Sequence, residues 1–357
     1  MSDRLFVGTR KGLFDLRRRK AGWDVATVHF LGDPVTAILP GPDKNFLAAL
    51  DLGHFGVKLW ASEDGGGHWE ERAAPAFPAK PEGGDDPHDW TVKAVWVMER
   101  AGAVVWAGTL AGGLFRSMDE GRSWTLQRAL WDMPERRQWM GGGAVHPLLH
   151  SIAIDPRDPD KMLVGISTGG VYRSEDGGAS WRLGGQGLYA EYMPPERRGD
   201  PVAQDVHRVI ACPAAPDVVW CQHHNGVFRS TDGGMSWQEI TAIKPSKFGF
   251  AVAVHPADPE TAWFVPAVKD ECRVPVDAAM VVACTENGGR SFVVLSEGLP
   301  QRHAYDLVYR HAFDIDAAGE RLAMGSTTGG FWISENGGAS WEALPARLPP
   351  VACVRFA

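Results

Sequence analysis

The stretch RSEDGGASWR, residues 173–182, recurs in variant form along the whole chain. Five further copies follow the same pattern: ASEDGGGHW at 61–69, RSMDEGRSW at 116–124, RSTDGGMSW at 229–237, CTENGGRSF at 284–292 and ISENGGASW at 333–341. The closing aromatic residues of the six copies are 49 to 57 residues apart. A period of this length is typical of stacked supersecondary units. The repeat therefore decides the fold, and we call these six segments the box turns.

Short alternating apolar runs surround each box turn, for example SIAID at 151–155 before it and SWRL at 180–183 after it. Four short strands joined by turns make one antiparallel sheet, and a ring of such sheets is a β-propeller. The segment 5–25 supplies three strands of a seventh unit, and residues 351–357 form a strand left over after the last box turn. We therefore predict one all-β domain over residues 1–357, a seven-bladed β-propeller whose ring is closed by the C-terminal strand completing the first blade.

The acidic residue of the box turn is predicted to be structural. The residue at this position varies among the six copies as Asp64, Asp119, Asp176, Asp232, Asn287 and Asn336. Asn keeps the hydrogen-bond acceptor of Asp but cannot act as an acid catalyst. We expect this side chain to accept hydrogen bonds from backbone N–H groups across the turn, and no copy has the alternating oxygen ligands of a calcium loop.

Composition limits the possible partners. The chain has 357 residues, 44% of them hydrophobic, with 42 Gly, 15 Trp and a formal net charge of -8. This balance disfavours nucleic acid or an anionic membrane as the main partner, and no apolar run approaches the length of a membrane span. The chain begins without an apolar signal core, and its five cysteines include no C-x-x-C pair. These features predict free thiols, no cofactor, and the cytoplasm as the compartment.

With these box turns the chain resembles the Asp-box, or BNR-repeat, propellers, which include sialidases, the xyloglucanase group, sortilin-type ectodomains and photosystem assembly factors. It is most similar to bacterial proteins described as glycosyl hydrolase or exo-sialidase for their BNR content. The resemblance implies that the box turns lie on the face opposite the active site. The chain departs from sialidases because it lacks an [FY]-R-I-P motif. It departs from xyloglucanases because its sequence predicts one propeller, whereas they have two.

Four insertions are the candidate site loops, because long loops in a compact domain are usually functional. They span residues 73–91, 126–150, 184–207 and 268–280. Hydrolysis of a glycosidic bond needs two carboxylates. The loop acids proposed for this role are Asp89, Glu191 and Asp205.

A second set of candidates comes from the register of the inner strands. This register places His150, His207 and His311 at one equivalent position, with Lys93 and Phe250 at the same position of other units. The predicted ligand-binding residues are Lys93, Trp139, His150, Tyr192, His207, Arg208, His223 and His311. A weaker alternative is a metal site formed by His150, His207 and His311, since imidazoles from several strands can converge on Zn²⁺ or Fe²⁺. A purely structural role, with bonds to backbone and water, is the other alternative.

These candidates lead to two functional hypotheses. The main one is binding of a small polar, anionic or carbohydrate-like ligand, or of a protein partner, on the loop-rich face without catalysis. The alternative is a sialidase-like or xyloglucanase-like glycoside hydrolase that uses the loop carboxylates. No motif of nucleophilic or phosphoryl-transfer chemistry is present in the sequence.

Overall fold

The computed structural model describes residues 1–83, 86–88 and 90–357. Its regular structure is almost entirely β-strand, which confirms the all-β prediction. The strands are β1 Arg4–Thr9, β2 Gly12–Arg19, β3 Gly22–His29, β4 Val35–Pro40, β5 Phe46–Asp51, β6 Val57–Ser62, β7 Glu70–Arg72, β8 Ala94–Ala101, β9 Val104–Leu110, β10 Leu114–Ser117, β11 Thr125–Leu126, β12 Leu148–Asp155, β13 Asp158–Ser167, β14 Gly170–Ser174, β15 Arg182–Leu183, β16 Val206–Cys212, β17 Ala215–His223, β18 Gly226–Ser230, β19 Gln238–Ile240, β20 Phe248–Val254, β21 Ala262–Ala267, β22 Val282–Thr285, β23 Val293–Leu295, β24 Phe313–Ile315, β25 Leu322–Gly325, β26 Phe331–Ser334, β27 Glu342–Ala343 and β28 Val351–Phe356.

Helical structure within the described ranges is confined to short segments. One α-helix, α1, spans Arg128–Trp131, and the 3-10 helices span Pro42–Lys44, Gly53–Phe55, Pro134–Gln138, Pro195–Arg197, Pro201–Ala203 and Val276–Ala278. In the described part of the chain, none of these helices has the length and apolar character that a membrane crossing requires.

Two compact units make up the chain. Unit 1 comprises Met1–Val35, Ile210–Ser230 and Gln238–Ala357, and unit 2 comprises Thr36–Val209 and Thr231–Trp237. Strand β16 crosses the point in the chain where the two units divide.

Unit 1 is built from antiparallel four-stranded meanders. Its sheets have the strand orders β28-β1-β2-β3, β20-β21-β22-β23 and β24-β25-β26-β27, and a further sheet has the order β16-β17-β18-β19. In the first sheet the last strand of the chain pairs antiparallel with β1, where Val354 lies opposite Val7. The largest core cluster of this unit packs Trp263, Phe313 and Trp341 among aliphatic side chains.

Unit 2 repeats the same plan. Strands β4 to β7 form one sheet in chain order, and β8 to β15 form an eight-stranded sheet. This larger sheet consists of two meanders, β8–β11 and β12–β15, joined where Leu148 pairs with Leu110. One core cluster of the unit surrounds Phe115 and Trp131, and another surrounds Trp106. The alternating apolar runs of the sequence therefore supply the buried faces of the strands.

The box turns form the hydrogen bonds that the sequence predicts. The Asp176 carboxylate accepts a bond from the Ser180 N–H at 2.8 Å, and the same bond occurs from His68 to Asp64 and from Ser236 to Asp232. A side chain that closes its own turn in this way replaces a backbone hydrogen bond. The acids of these turns are therefore engaged in holding the hairpins.

The two Asn copies keep this geometry by reversing one hydrogen bond. In three of the Asp copies the serine hydroxyl donates to the carboxylate, as in Ser180 to Asp176 at 2.5 Å, and in the fourth the Nδ1 atom of His68 lies 2.6 Å from the Asp64 carboxylate. In the Asn copies the amide donates to the serine hydroxyl, from Asn287 to Ser291 at 2.7 Å and from Asn336 to Ser340 at 2.9 Å. Hydroxyl groups can serve as donor or acceptor, so the turn tolerates both residues.

Asp119 allows this equivalence to be tested. Its carboxylate accepts bonds from the Ser123 N–H at 2.8 Å and the Ser117 hydroxyl at 2.8 Å. We expect Asp119→Asn to leave Tm nearly unchanged, because the amide reproduces these bonds. Asp119→Ala should lower Tm by roughly 1–2 °C, the shift that the loss of about one hydrogen bond causes in a chain of 357 residues. Scanning calorimetry measures both variants, and equal losses in the two would contradict the prediction.

The same residue predicts a pH dependence. The hydroxyl and N–H of Ser123 lower the pKa of Asp119 from 3.8 to about 2. A pKa that is lower in the folded state adds stability above the unfolded value, and this stability is lost as the pH falls through the folded value. The Tm difference between wild type and Asp119→Ala should therefore narrow as the pH is lowered from about 5 to about 2. A Tm difference that stays constant over this range would show that protonation of Asp119 does not weaken the hydrogen bonds of the turn.

Candidate functional site

Asp205 is the more enclosed of the two predicted loop acids that the structure describes. It lies at the end of the loop 184–207 in unit 2 and its residue surface is only 3% exposed. The Thr168 N–H donates to its Oδ1 at 3.3 Å, and the Nε2 atom of His207 lies 3.7 Å from its Oδ2. A carboxyl and an imidazole at this separation can exchange a proton through one bridging hydroxyl or water. We call Asp205, His207, Thr168 and Gly142 the Asp205 site.

Gly142 closes the Asp205 site from the loop 126–150. Its φ is +53°, and a Cβ built there would lie 2.7 Å from the Asp205 Oδ2 atom. Only glycine therefore fits this turn without displacing the carboxylate. Thr168 also has a positive φ, 41°, which is uncommon for a β-branched residue. Gly142 and Thr168 therefore both have a positive φ next to the carboxylate of Asp205. Backbone strain of this kind is frequent at functional sites.

Backbone hydrogen bonds connect the segments that carry this site. The Met140 N–H donates to the Thr168 carbonyl at 2.9 Å, and the Gly170 N–H donates to the Gln204 carbonyl at 3.1 Å. The turn between β13 and β14 is thereby bonded to both long loops. These bonds attach the segments around Asp205 to the sheet that contains β13 and β14.

Two other predicted residues of unit 2 are buried beside these loops. His150 is fully buried, with Nδ1 2.8 Å from the Ser151 hydroxyl and Nε2 2.8 Å from the Val206 carbonyl. The indole N–H of Trp139 donates to the Tyr172 hydroxyl at 2.8 Å. Both ring nitrogens of His150 thus have protein partners, so this arrangement gives no support to its predicted role in a metal site. Ligand contacts by His150 and Trp139 stay predictions.

The remaining candidates of unit 2 differ in exposure. Tyr192 is 42% exposed, and its hydroxyl donates to the Ala203 carbonyl at 2.8 Å. Glu191 is exposed, Lys93 is half-buried and Arg208 is buried. Asp89, the third predicted acid, lies outside the described residues. Of the predicted acids that the structure describes, Asp205 lies next to a predicted imidazole, that of His207.

His223 and His311 belong to unit 1. His223 is buried, and its Nδ1 atom accepts a bond from the Asn225 N–H at 3.0 Å. His311 is 8% exposed, and its carbonyl accepts a bond from the Val354 N–H at 2.8 Å. Their predicted roles in ligand binding also stay predictions.

A buried ion pair, which the sequence did not indicate, attaches the loop 73–91 to the loop 126–150. Arg136 is 6% exposed and binds the Asp86 carboxylate through both terminal nitrogens, at 3.1 and 2.5 Å. The guanidinium lies 4.2 Å from the ring centroid of Trp131 and also donates to the Trp131 carbonyl. The indole N–H of Trp90 completes the cluster by donating to Asp86 at 2.8 Å.

The charge of Asp86 is stabilised by this cluster. Burial alone raises the pKa of the Asp86 carboxyl, but the hydrogen bonds from Arg136, the His88 N–H and Trp90 outweigh burial and hold the pKa far below its usual range. Burial also lowers the pKa of the neighbouring His88 imidazole. Asp86 is therefore an ionised structural group, and it is a poor candidate for a proton-donating acid.

Comparisons with known proteins agree with the all-β fold, and the similar proteins include carbohydrate-active enzymes. No family model matches the chain. A xyloglucanase of Hypocrea jecorina (strain QM6a) is 27% identical over 159 residues, which cover 39% of this chain and 16% of the enzyme. The chain thus matches about a sixth of that relative's length.

Solved structures extend the likeness to most of the chain. An ancestral GH74 enzyme matches 86% of the chain with a TM-score of 0.57 and 17% identity, and the match covers 38% of the enzyme. The structure of YCF48 bound to D1 peptide matches 97% of the chain with a TM-score of 0.55 and 12% identity, and the match covers 91% of YCF48. At these identities the likeness concerns the fold, and both neighbours are propeller-like.

Proposed function

We propose that this chain is a glycoside hydrolase acting on β-linked glucan chains of the xyloglucan type. The observation that carries the proposal is the enclosed Asp205 carboxylate, 3.7 Å from the His207 imidazole where long loops meet. The partial match to a xyloglucanase supports the choice of substrate class. In this role Asp205 donates a proton to the leaving glycosidic oxygen, and water adds to the anomeric carbon.

Glu191 is the proposed second carboxylate. It lies on the same loop as Asp205, and it is exposed to solvent. The two carboxyl groups differ in exposure, since Asp205 is enclosed and Glu191 faces solvent. We therefore assign the acid to Asp205 and the base to Glu191, which takes a proton from the water that adds to the anomeric carbon.

The fold that would carry this activity is proposed to be a single seven-bladed propeller of the Asp-box, or BNR-repeat, family. Support comes from the repeated four-stranded meanders, from the box turns, and from the pairing of β28 with β1. Such pairing removes a free sheet edge, as the closing strand of a propeller does. The chain would then form one domain over residues 1–357.

Binding of a polypeptide segment without cleavage is the second candidate function. The chain matches YCF48 bound to D1 peptide over 91% of that chain, whereas it matches the GH74 enzyme over 38%. A full-length match to a peptide-binding protein favours a binding role for the same loops. The proposed compartment for either function is the cytoplasm, since the five cysteines, all among the described residues, form no disulfide.

A turnover assay separates these two functions. The full chain is incubated with xyloglucan and neutral β-glucan oligosaccharides, and new reducing ends are measured. We expect turnover that falls about 10²–10⁴-fold in Glu191→Gln, the effect of losing a catalytic carboxylate. Glu196→Gln, the same change at another exposed position of this loop, should retain the wild-type rate. Stable glycan or peptide binding with no turnover in wild type would overturn the hydrolase proposal and favour binding.

A further inference from the structure

The loop 184–207 of unit 2 carries two exposed tyrosine rings. Tyr189 is 40% exposed and Tyr192 is 42% exposed. The Tyr192 hydroxyl donates to the Ala203 carbonyl at 2.8 Å, and it accepts a hydrogen bond from the Asp205 N–H. The Tyr192 ring is therefore anchored at the residue that carries the enclosed carboxylate, while part of its surface is open to solvent.

The other ring, that of Tyr189, is held in place by Arg198. The Arg198 Nη1 atom donates to the Tyr189 hydroxyl at 2.9 Å, and the guanidinium carbon lies 5.7 Å from the centroid of the ring. The Arg198 Nε atom donates to the Met193 carbonyl at 3.1 Å. These two hydrogen bonds engage neutral groups, and a guanidinium has five N–H donors. Arg198 therefore orients the Tyr189 ring and retains donors for a ligand.

Gln204 connects the Tyr189–Arg198 pair to the Asp205 site. Its side-chain amide is fully buried and donates to the Arg198 carbonyl at 3.0 Å. The Ala190 N–H donates to the same carbonyl at 2.9 Å. Since Gln204 directly precedes Asp205 in the chain, one buried side chain attaches the Tyr189–Arg198 pair to the residue before the carboxylate.

The tyrosine rings and the guanidinium together match the chemistry of a sugar. A pyranose unit has faces of C–H groups and a rim of hydroxyl groups, so it can stack on an aromatic ring while guanidinium N–H groups donate to its oxygens. A tyrosine that is fixed before the ligand arrives loses little side-chain entropy on binding. Packing within the protein does not account for the exposed ring area, because a ring contributes to folding through the area that it buries.

We propose that Tyr189, Arg198 and Tyr192 form a subsite for a neutral glucose-type unit of a glucan chain, next to the unit whose bond is cleaved. The two rings supply stacking surfaces, and Arg198 donates hydrogen bonds to sugar oxygens. The loop that carries this subsite also carries both proposed carboxylates, Glu191 and Asp205, which favours a glycan over a peptide. The inference rests on the proposed hydrolysis of glucans and adds the residues that bind the chain beside the acid.

Titration calorimetry of the full chain tests this subsite. The probes are a xyloglucan oligosaccharide and cellohexaose, and every protein carries Asp205→Asn so that the probe is not cleaved. We expect Tyr189→Ala and Arg198→Gln each to raise Kd by about 10-fold, the effect of losing one stacking contact or one hydrogen bond. Tyr189→Phe keeps the ring and should stay within about 3-fold of the parent. Tyr305→Ala, the same change at an exposed tyrosine of unit 1, should not change Kd.

The outcomes are distinguishable from those of the hydrolase proposal. Parental affinity in both Tyr189→Ala and Arg198→Gln would overturn the subsite, while hydrolysis would still be judged by turnover of the wild-type chain. Weaker glucan binding in both variants, in a chain without turnover, would support the subsite and overturn the hydrolase. Binding of a peptide in place of either glucan probe would overturn the subsite as well. Far-ultraviolet circular dichroism and Tm of each variant verify that the chain is folded.

Discussion

Replacing Asp205 with Asn is expected to lower kcat on a glucan substrate by about 10²–10⁴-fold, the range for loss of a general acid or base. The amide has nearly the same shape as the carboxylate and keeps an acceptor for the Thr168 N–H. What it loses is the proton that the leaving oxygen needs. We therefore expect KM to change little, because substrate contacts elsewhere are preserved.

The control for this substitution is Asp132→Asn. Asp132 lies on the neighbouring long loop and forms an exposed pair with Arg128, which contributes little to stability. The Asp132→Asn variant should keep the wild-type kcat. If Asp205→Asn lowered Tm strongly, or if it raised KM with kcat unchanged, Asp205 would be a structural or binding residue. Steady-state kinetics and calorimetry of the two variants distinguish these roles.

Replacing Arg136 with Met is expected to lower the free energy of unfolding by about 1.5–3 kcal/mol, the range for hydrogen bonds to charged groups. The substitution leaves the Asp86 carboxylate, whose side chain is 11% exposed, without its cationic partner, and it removes the guanidinium from the Trp131 ring. The remaining bonds to Asp86, from Trp90 and the His88 N–H, are too few to replace a bidentate pair. Urea denaturation at neutral pH measures the loss.

Two companion variants test the cause. Arg137→Met changes the adjacent exposed residue and should shift stability by about 0.5 kcal/mol or less. The double variant Asp86→Leu/Arg136→Met removes both charges and should recover part of the loss, since an apolar pair of similar volume avoids the cost of a buried lone charge. A double variant less stable than Arg136→Met alone would contradict this explanation.

The elements that the sequence predicted well are those with local causes. A box turn such as 173–181 contains its own acceptor, donor and positive-φ glycines, so its hydrogen bonds follow from nine consecutive residues. The strands beside this turn are predicted by the alternation of apolar and polar residues. Helix α1 and the following 3-10 helix lie in a segment predicted only as a loop, because four or five residues carry too weak a pattern to be recognised.

The candidate site was predicted less completely, because its contacts join residues far apart in the sequence. Asp205 and His207 lie two positions apart, and the sequence selected both. Gly142 and Thr168 contact Asp205 from separate segments, and no local pattern indicates this contact. Phe250 was placed on an inner strand by register, but the approach of the Arg273 guanidinium to its ring depends on how the insertion 268–280 folds.

The reversible serine bond of the box turns has a practical consequence for the surface of the protein. Since Asn287 and Asn336 hold their hairpins as Asp does, the acids at the three box positions with a serine partner, Asp119, Asp176 and Asp232, are interchangeable with amides. Three negative charges can therefore be removed from a chain of formal net charge -8 without altering a backbone contact. The isoelectric point and colloidal behaviour can in this way be adjusted independently of the architecture.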